Sequence, residues 1–241
     1  MTLNSAIEIH AVNELSLHLK CHHPITPELA QHLANLCKDL AAHYPHTLID
    51  AVPSYNSILL TFDTSKESIF YFKQHVQELI AHYPFLEQEQ QQRRILRIPV
   101  YYHTDVGPDL RKIAEHSGLS IEDIIQLHCE RTYTVYSLGF APGFAYMGNV
   151  DERIALPRLA TPRERVAKGS VGIAGKQTGI YPQSLPGGWN IIGQTPCDLF
   201  HLDGNVVVCP FSAGCRVRFF AINREEFVDF TDKPFDLENA P

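Results

Sequence analysis

Leu15, Leu17 and Leu19 alternate with polar residues, the period of a half-buried strand. Further on, Leu29, Leu33, Leu36 and Leu40 recur at steps of three and four, which places them on one stripe of a helix. Thr26-Pro27-Glu28 marks its start, with threonine as the N-cap and proline in the first turn. Leu48 to Val52 and Ser57 to Phe62 read as two strands joined by a short turn at Tyr55-Asn56. Thr64 and Glu67 have the spacing of a capping box, and predict a helix starting there with Ile69, Phe72, Val76, Leu79 and Ile80 as its buried stripe. The order strand, strand, helix, strand, strand, helix predicts a compact α/β sandwich resembling a ferredoxin-like layer over residues 1–90.

Residues 87–94, Glu-Gln-Glu-Gln-Gln-Gln-Arg-Arg, are polar and low in complexity and read as an exposed connection. Beyond it the pattern changes. Ile95 to Tyr102 is a strand. Asp109 to His116 and Ser120 to Glu130 are helices separated by Gly118, the second capped by Ser120 and Asp123. Thr132 to Leu138, Gly169 to Ala174, Asn190 to Ile192, Val206 to Cys209 and Arg216 to Ile222 are short strands between Gly/Pro turns, the signature of a mostly antiparallel barrel over residues 95–230. The chain is therefore expected to be α+β, with two domains of different kind.

Composition sharpens that division. All 14 glycines lie at or after Gly107, whereas most of the 13 histidines lie between His10 and His82. A hydrophobic content of 44% with 20% charged residues belongs to a globular protein. No run of about 18 apolar residues predicts a membrane span, and the N-terminus lacks the basic start and apolar core of a signal peptide. A formal net charge of −7 argues against nucleic acid as the main partner. The six cysteines form no C-x-x-C pair, and the expectation is reduced thiols in a cytoplasmic protein. His18, Cys21, His22 and His23 are metal-ligating types, but no second cluster completes a set, so no metal is expected.

Glycine, proline and aromatic residues concentrate between Tyr136 and Pro196. Glycine permits close backbone approach and proline fixes φ, so backbone shape is exacting here. Composition alone fits either a turn-rich barrel or a site walled by backbone and aromatic faces. Arg158, Arg163, Arg165, Lys168 and Lys176 cluster in the same stretch with Glu164 the only acid among them. A solvated loop accounts for such a cluster; so does an anion site, since guanidinium forks suit carboxylate and phosphate. If the region is a site, the candidates for catalysis are Arg158, Arg163, Lys176 and Gln177. The candidates for substrate binding are Phe140, Phe144, Tyr146, Gly175, Thr178, Tyr181, Gly187, Gly188 and Trp189. Trp189 either stacks on a ligand or fills the barrel, and core is the preferred reading. Gly169 to Gly175 is not a P-loop: five residues separate the glycines and Gln177 follows Lys176. Ser137 lacks the G-x-S-x-G elbow of a nucleophile. His103, Asp105 and Asp109 are acid–base types beside Gly107-Pro108, but a strand-to-helix cap explains both aspartates.

Six segments together carry a resemblance: Gly107-Pro-Asp-Leu110, Leu138-Gly-Phe-Ala-Pro-Gly-Phe144, Thr161-Pro-Arg163, Gly169-Ser-Val-Gly172, Gln177-Thr-Gly-Ile-Tyr-Pro182 and Pro186-Gly-Gly-Trp189. On these the run from Ile98 to Phe219 resembles the allophanate hydrolase subunit 1 family and, with it, one half of the carboxyltransferase region of urea carboxylase. The resemblance implies a cyclophilin-like β-barrel after a small α/β domain. It also implies a heteromeric assembly with subunits A and C that uses ATP to open 5-oxo-L-proline to L-glutamate. Family members that inhibit a sensor histidine kinase, and carboxyltransferase-like subunits, give the alternative readings. The chain departs from the family pattern at His103 (usually glycine), Ala167 (commonly proline), Gln194 (commonly basic) and Cys215 (commonly aspartate).

Overall fold

The structure, a computed structural model, describes residues 7–84 and 95–232. It separates into two compact units, Met1–Gln92 and Arg93–Pro241. The polar connection at 87–94 lies outside the described residues.

In the first unit, strands β1 (Ile7–Asn13) and β2 (Ser16–Cys21) form an antiparallel hairpin. Helix α1 (Pro27–His43) follows, then the hairpin of β3 (Leu48–Ser54) and β4 (Ser57–Phe62), then helix α2 (Ile69–His82). β2 pairs antiparallel with β4, so the order is β1-β2-β4-β3 and β4 lies between the mutually parallel β2 and β3. The Thr26 hydroxyl accepts from Leu29 N at 3.2 Å, capping α1 as its sequence predicts. Leu29, Leu33, Leu36 and Leu40 from α1 and Phe72, Val76 and Ile80 from α2 close one core with Leu17, Leu19, Ile58, Leu60 and Phe62. The start of α2 departs from expectation. The helix begins at Ile69 behind Ser68, which makes no side-chain cap bond, and Glu67 pairs instead with His75 at 2.8 Å. A capping box needs its acid to reach back to the cap backbone, and here an imidazole holds that acid.

The second unit opens with β5 (Ile95–Tyr101), α3 (Leu110–Ser117) and α4 (Ile121–Glu130), the last with a complete Ser120–Asp123 capping box. Strands β6 (Tyr133–Leu138), β7 (Ala145–Gly148), β8 (Arg163–Val166), β9 (Ser170–Ala174), β10 (Gln177–Ile180), β11 (Leu185–Gly187) and β12 (Asn190–Gln194) follow. The chain continues with β13 (His201–Asp203), β14 (Val206–Val208), β15 (Arg216–Ile222) and α5 (Arg224–Asp232). Seven strands close a barrel in the order β6-β15-β5-β12-β9-β10-β7, with β7 returning to β6. Of its pairings only β15 with β5 is parallel. Ile98, Val100, Tyr133, Val135, Met147, Val171, Ile173, Ile192, Val217 and Phe219 fill it, and Leu110, Ile113 and Ile124 extend that core into α3 and α4. The architecture is thus α+β with a closed barrel. β8 with β11 and β13 with β14 form separate two-stranded ribbons. No described helix is long and apolar enough to cross a membrane.

Candidate functional site

Side chains on neighbouring strand positions face opposite ways. Ile173 and Ile192 therefore point into the barrel, while Ala174 and Ile191 point out and join a second cluster with Phe144, Val166, Tyr181 and Trp189. The tryptophan is buried, at 4% exposure, but in this outer cluster and not in the barrel interior. Its ring meets Phe144 edge-on at 5.5 Å and Tyr146 at 6.0 Å, and Phe144 meets Tyr181 at 5.6 Å. Phe140 leans edge-on against Phe144 and Tyr181 with 59% of its surface exposed. It holds φ at 74°, a left-handed conformation that costs a non-glycine residue energy and is retained where the surroundings demand it.

Two arginines border this wall. Arg158 lies over the Trp189 ring, 5.8 Å from its centroid. Arg163, on β8, donates to Asp109 Oδ1 at 2.9 Å and to Trp189 O at 3.4 Å. Burial pushes the Tyr181 phenol up, while the charges of Arg158 and Arg163 act on it in the opposite sense. Gly187 explains how the ribbon fits: a Cβ there would lie 2.1 Å from the Tyr181 hydroxyl, so only glycine lets the tyrosine seat beneath it. Leu159 N donates to Gly188 O at 2.7 Å, tying the loop that carries Arg158 to the strand end that carries Trp189.

Arg158, Arg163, Phe140, Phe144, Tyr146, Tyr181, Gly187, Gly188 and Trp189 are therefore brought together. The other candidates lie elsewhere. Gln177 shares the outer face of β10 but stands two residues from Gly179, the position that touches Phe144 and Trp189. Gly175 and Lys176 form the β9–β10 turn, where Gly175 N donates to Leu156 O at 2.6 Å and Lys176 pairs with Glu152 at 2.5 Å. Lys176 thereby lines a different pocket with Arg131, Asp151 and Arg153. There Arg153, and after it Arg131, holds the Asp151 carboxyl well below the usual range.

Thr178 points into the barrel, fully buried, and ends a chain of buried polar groups. Its hydroxyl donates to Gly172 O at 3.1 Å, so it accepts from His128 Nε2 at 3.0 Å. His128 Nδ1 then accepts from Tyr102 OH at 2.7 Å, and Tyr102 accepts from Cys129 Sγ at 3.6 Å. Every proton in the chain has one direction. The imidazole, pushed down to about 3 by burial, stays neutral.

Asp109 is the residue that sequence reasoning placed wrongly in its role. It stands at the N-cap of α3 but makes no side-chain cap bond there. Its carboxylate, 5% exposed as a residue, accepts from Ile191 N at 2.7 Å and from Arg163, while its own N donates to Ile191 O. Asn190 adds to the brace: its amide donates to Pro157 O and Ile173 O, and it accepts from Lys112 at 3.0 Å. The signal available was Gly107, whose Cβ would lie 2.4 Å from the Ile192 carbonyl. A glycine two residues before an acid marked close docking of this segment onto β12. At the positions that depart from the family, Gln194 donates to Lys168 O at 2.7 Å, and burial pushes the Cys215 thiol up to about 11. Among the described residues no group of three or more His, Cys, Asp or Glu is arranged to hold a metal ion.

Residues 7–208 match the family described as carboxyltransferase domain, subdomain C and D. The 5-oxoprolinase B subunit of Bacillus subtilis (strain 168) is 39% identical over 192 residues, which are 74% of this chain and 78% of that protein. The 5-oxoprolinase B subunit of Escherichia coli O157:H7 is 36% identical over 191 residues, 79% of this chain and 85% of that one. The crystal structure of TTHA0988 superposes with a TM-score of 0.74 at 33% identity, over 86% of this chain and 40% of that chain; the present chain thus spans well under half of that protein's length. The chain belongs to the carboxyltransferase-domain family, subdomains C and D, as a relative of the bacterial 5-oxoprolinase B subunits.

Proposed function

We propose that this chain is the B subunit of an ATP-dependent 5-oxoprolinase and that, with subunits A and C, it converts 5-oxo-L-proline to L-glutamate. The observation that carries the reading is the convergence of Arg158 and Arg163 on the aromatic wall of Phe140, Phe144, Tyr146, Tyr181 and Trp189, in a chain whose matched relatives bear that enzyme's name. The substrate is a small, flat lactam with a carboxylate. An aromatic wall suits the flat ring and a guanidinium suits the carboxylate. Opening the lactam requires its carbonyl oxygen to be activated, and ATP would supply that by phosphorylation. Charge developing on that oxygen calls for fixed donors, which in this reading the site closed between chains supplies. Lys176, tied to Glu152, sits in this reading outside the reacting region.

The sequence carries no P-loop, kinase glycine loop or dinucleotide fingerprint, so in this proposal the nucleotide is held by the assembly, and the site is closed between chains. We read the barrel as cyclophilin-like. We read the first unit as a ferredoxin-like layer whose edge strand has moved to the front of the chain order; its antiparallel order β1-β2-β4-β3 supports this. The working compartment is the cytoplasm, where six free cysteines stay reduced. The test combines this chain with its A and C partners, ATP and 5-oxoproline, and measures glutamate. Glutamate should form only when all three proteins are present; equal yield without this chain would sink the proposal.

A further inference from the structure

Five cations lie between Arg158 and Lys176, and four of them are committed. Arg163 pairs with Asp109 at 2.9 Å, Arg165 donates to Ser184 Oγ at 2.8 Å, Lys168 pairs with Asp198, and Lys176 pairs with Glu152 at 2.5 Å. Arg158 differs. Among the described residues its side chain makes no ion pair and no hydrogen bond; it lies over the face of Trp189, and its charge acts on the Tyr181 phenol from a distance. Its mount is nonetheless fixed on both sides. Pro157 O accepts from the buried Asn190 amide at 2.9 Å, and Leu159 N donates to Gly188 O at 2.7 Å. The backbone carrying Arg158 is thus tied, residue before and residue after, to the segment carrying Trp189.

A guanidinium laid on an indole face has one side covered and its fork of N–H donors still open at the edge. No acid among the described residues fills that fork. Arg163, in contrast, cannot turn to a ligand without leaving Asp109, a buried carboxylate whose other oxygen is already bonded to Ile191 N. Resting on the 5-oxoprolinase reading, we infer that Arg158 is the residue that recognises the substrate's carboxylate, with Trp189 as its platform, while Arg163 is a positioning residue held in place by Asp109. The ligand class is a small carboxylate anion carrying a flat amide ring. The carboxylate takes the fork because its two charged oxygens match the parallel N–H donors of a guanidinium, whereas the lactam offers one neutral oxygen.

Trp189 is the chain's single tryptophan, so its fluorescence reports on this one place. The full-length chain is titrated with 5-oxoproline and, separately, with its neutral carboxamide. The acid should give a saturable change in emission, and the carboxamide should bind at least about tenfold more weakly. Arg158→Gln should weaken the acid at least about tenfold as well, with an unchanged melting temperature, and Arg158→Lys should recover part of the loss. In the assembled enzyme Arg158→Gln should raise KM for 5-oxoproline more than it lowers kcat. No response from the natural chain, equal binding of acid and carboxamide, or an unaltered titration in Arg158→Gln overturns the assignment. The two readings fail separately. Equal KM in Arg158→Gln and natural assemblies removes this role and leaves the 5-oxoprolinase reading standing. Absence of glutamate from the complete natural assembly removes that reading, whatever the tryptophan signal shows.

Discussion

His128 shows how much one buried residue can govern. It stacks on Phe219 at 4.6 Å, and its two ring nitrogens bridge Tyr102 and Thr178 across the barrel core. Burial holds its imidazole down to about 3, whereas an imidazole in the unfolded chain titrates near 6.5. Between those values the unfolded chain takes up a proton that the folded chain refuses. Stability linked to His128 is therefore complete above about pH 6.5 and is lost as the pH falls toward 3, at up to about 1.4 kcal/mol per unit. Unfolding free energies from urea titrations at pH 6.5 and pH 5 should differ by about 2 kcal/mol more in the natural chain than in His128→Gln, which cannot titrate. Equal slopes in the two proteins would show that another group carries the dependence. Asp109 and Arg163 make the related point about charge. From sequence, Arg163 looks like a donor on a loop that could be removed without structural cost. In the structure it sits on β8 and compensates a buried carboxylate, so Arg163→Ala would lose about 2–3 kcal/mol of stability, short of a fully buried pair because a third of its side chain is exposed. Periodicity and motif spacing register which residues are polar; they do not register which buried acid an arginine answers.

At the scale of elements, legibility follows the range of the forces that set each one. Helices α1 and α4 are visible because their caps and stripes are local: Thr26 bonds Leu29, and Ser120 and Asp123 bond each other's backbones. Strands β9 and β15 are visible because each fills the barrel with alternate side chains. β7, β8, β10 and β11 are harder to see. They are three or four residues long, glycine-rich or charged, and owe their conformation to partners far along the chain. The same limit applies to the site. The aromatic wall and the two arginines are legible as a cluster in sequence, but Gln177, Thr178 and Tyr181 lie four residues apart at most and face different surroundings: outer face, barrel interior and aromatic cluster. Pairing register turns Thr178 inward, and the length of β10 carries Tyr181 away from Gln177. The Thr64 motif shows a local signal overruled, since the bond that would start the helix there is absent and α2 begins at Ile69. Two substitutions measure the difference. Ser120→Ala should cost about 1 kcal/mol in denaturant unfolding, the worth of a working cap. Thr64→Ala should stay within about 0.5 kcal/mol of the natural chain. A large loss from the second would mean that Thr64 holds the turn by a contact other than a cap.

For the molecule as a whole, the glycine asymmetry proves to be a statement about two kinds of packing. The first unit stacks two helices on one face of an antiparallel sheet with short hairpin turns, and its core is mostly leucine, isoleucine and phenylalanine, with Val76, Cys21 and Cys37. The second closes a barrel and then lays loops and ribbons against its outside, which brings backbone against backbone. At Gly107 a methyl group would meet the Ile192 carbonyl at 2.4 Å. Close approach of this kind requires glycine, and it occurs where long-range closure replaces local stacking. The cores reflect the same division. One contains residues only from Ile7 to Tyr83, and the barrel and aromatic clusters contain residues only from Leu96 to Phe219. Among the described residues no side chain belongs to both cores, so a cavity in one leaves the other's own cluster complete. Leu36, fully buried on α1, and Ile173, fully buried on β9, probe this directly. Leu36→Ala should cost about 2–5 kcal/mol and Ile173→Val about 0.5–1.5 kcal/mol, the usual losses for deleting buried methyl groups. In scanning calorimetry the natural chain should show two overlapping transitions. Leu36→Ala should lower one of them and Ile173→Val the other. A single transition that both substitutions shift in proportion to their cost would show instead that the two cores melt as one cooperative body.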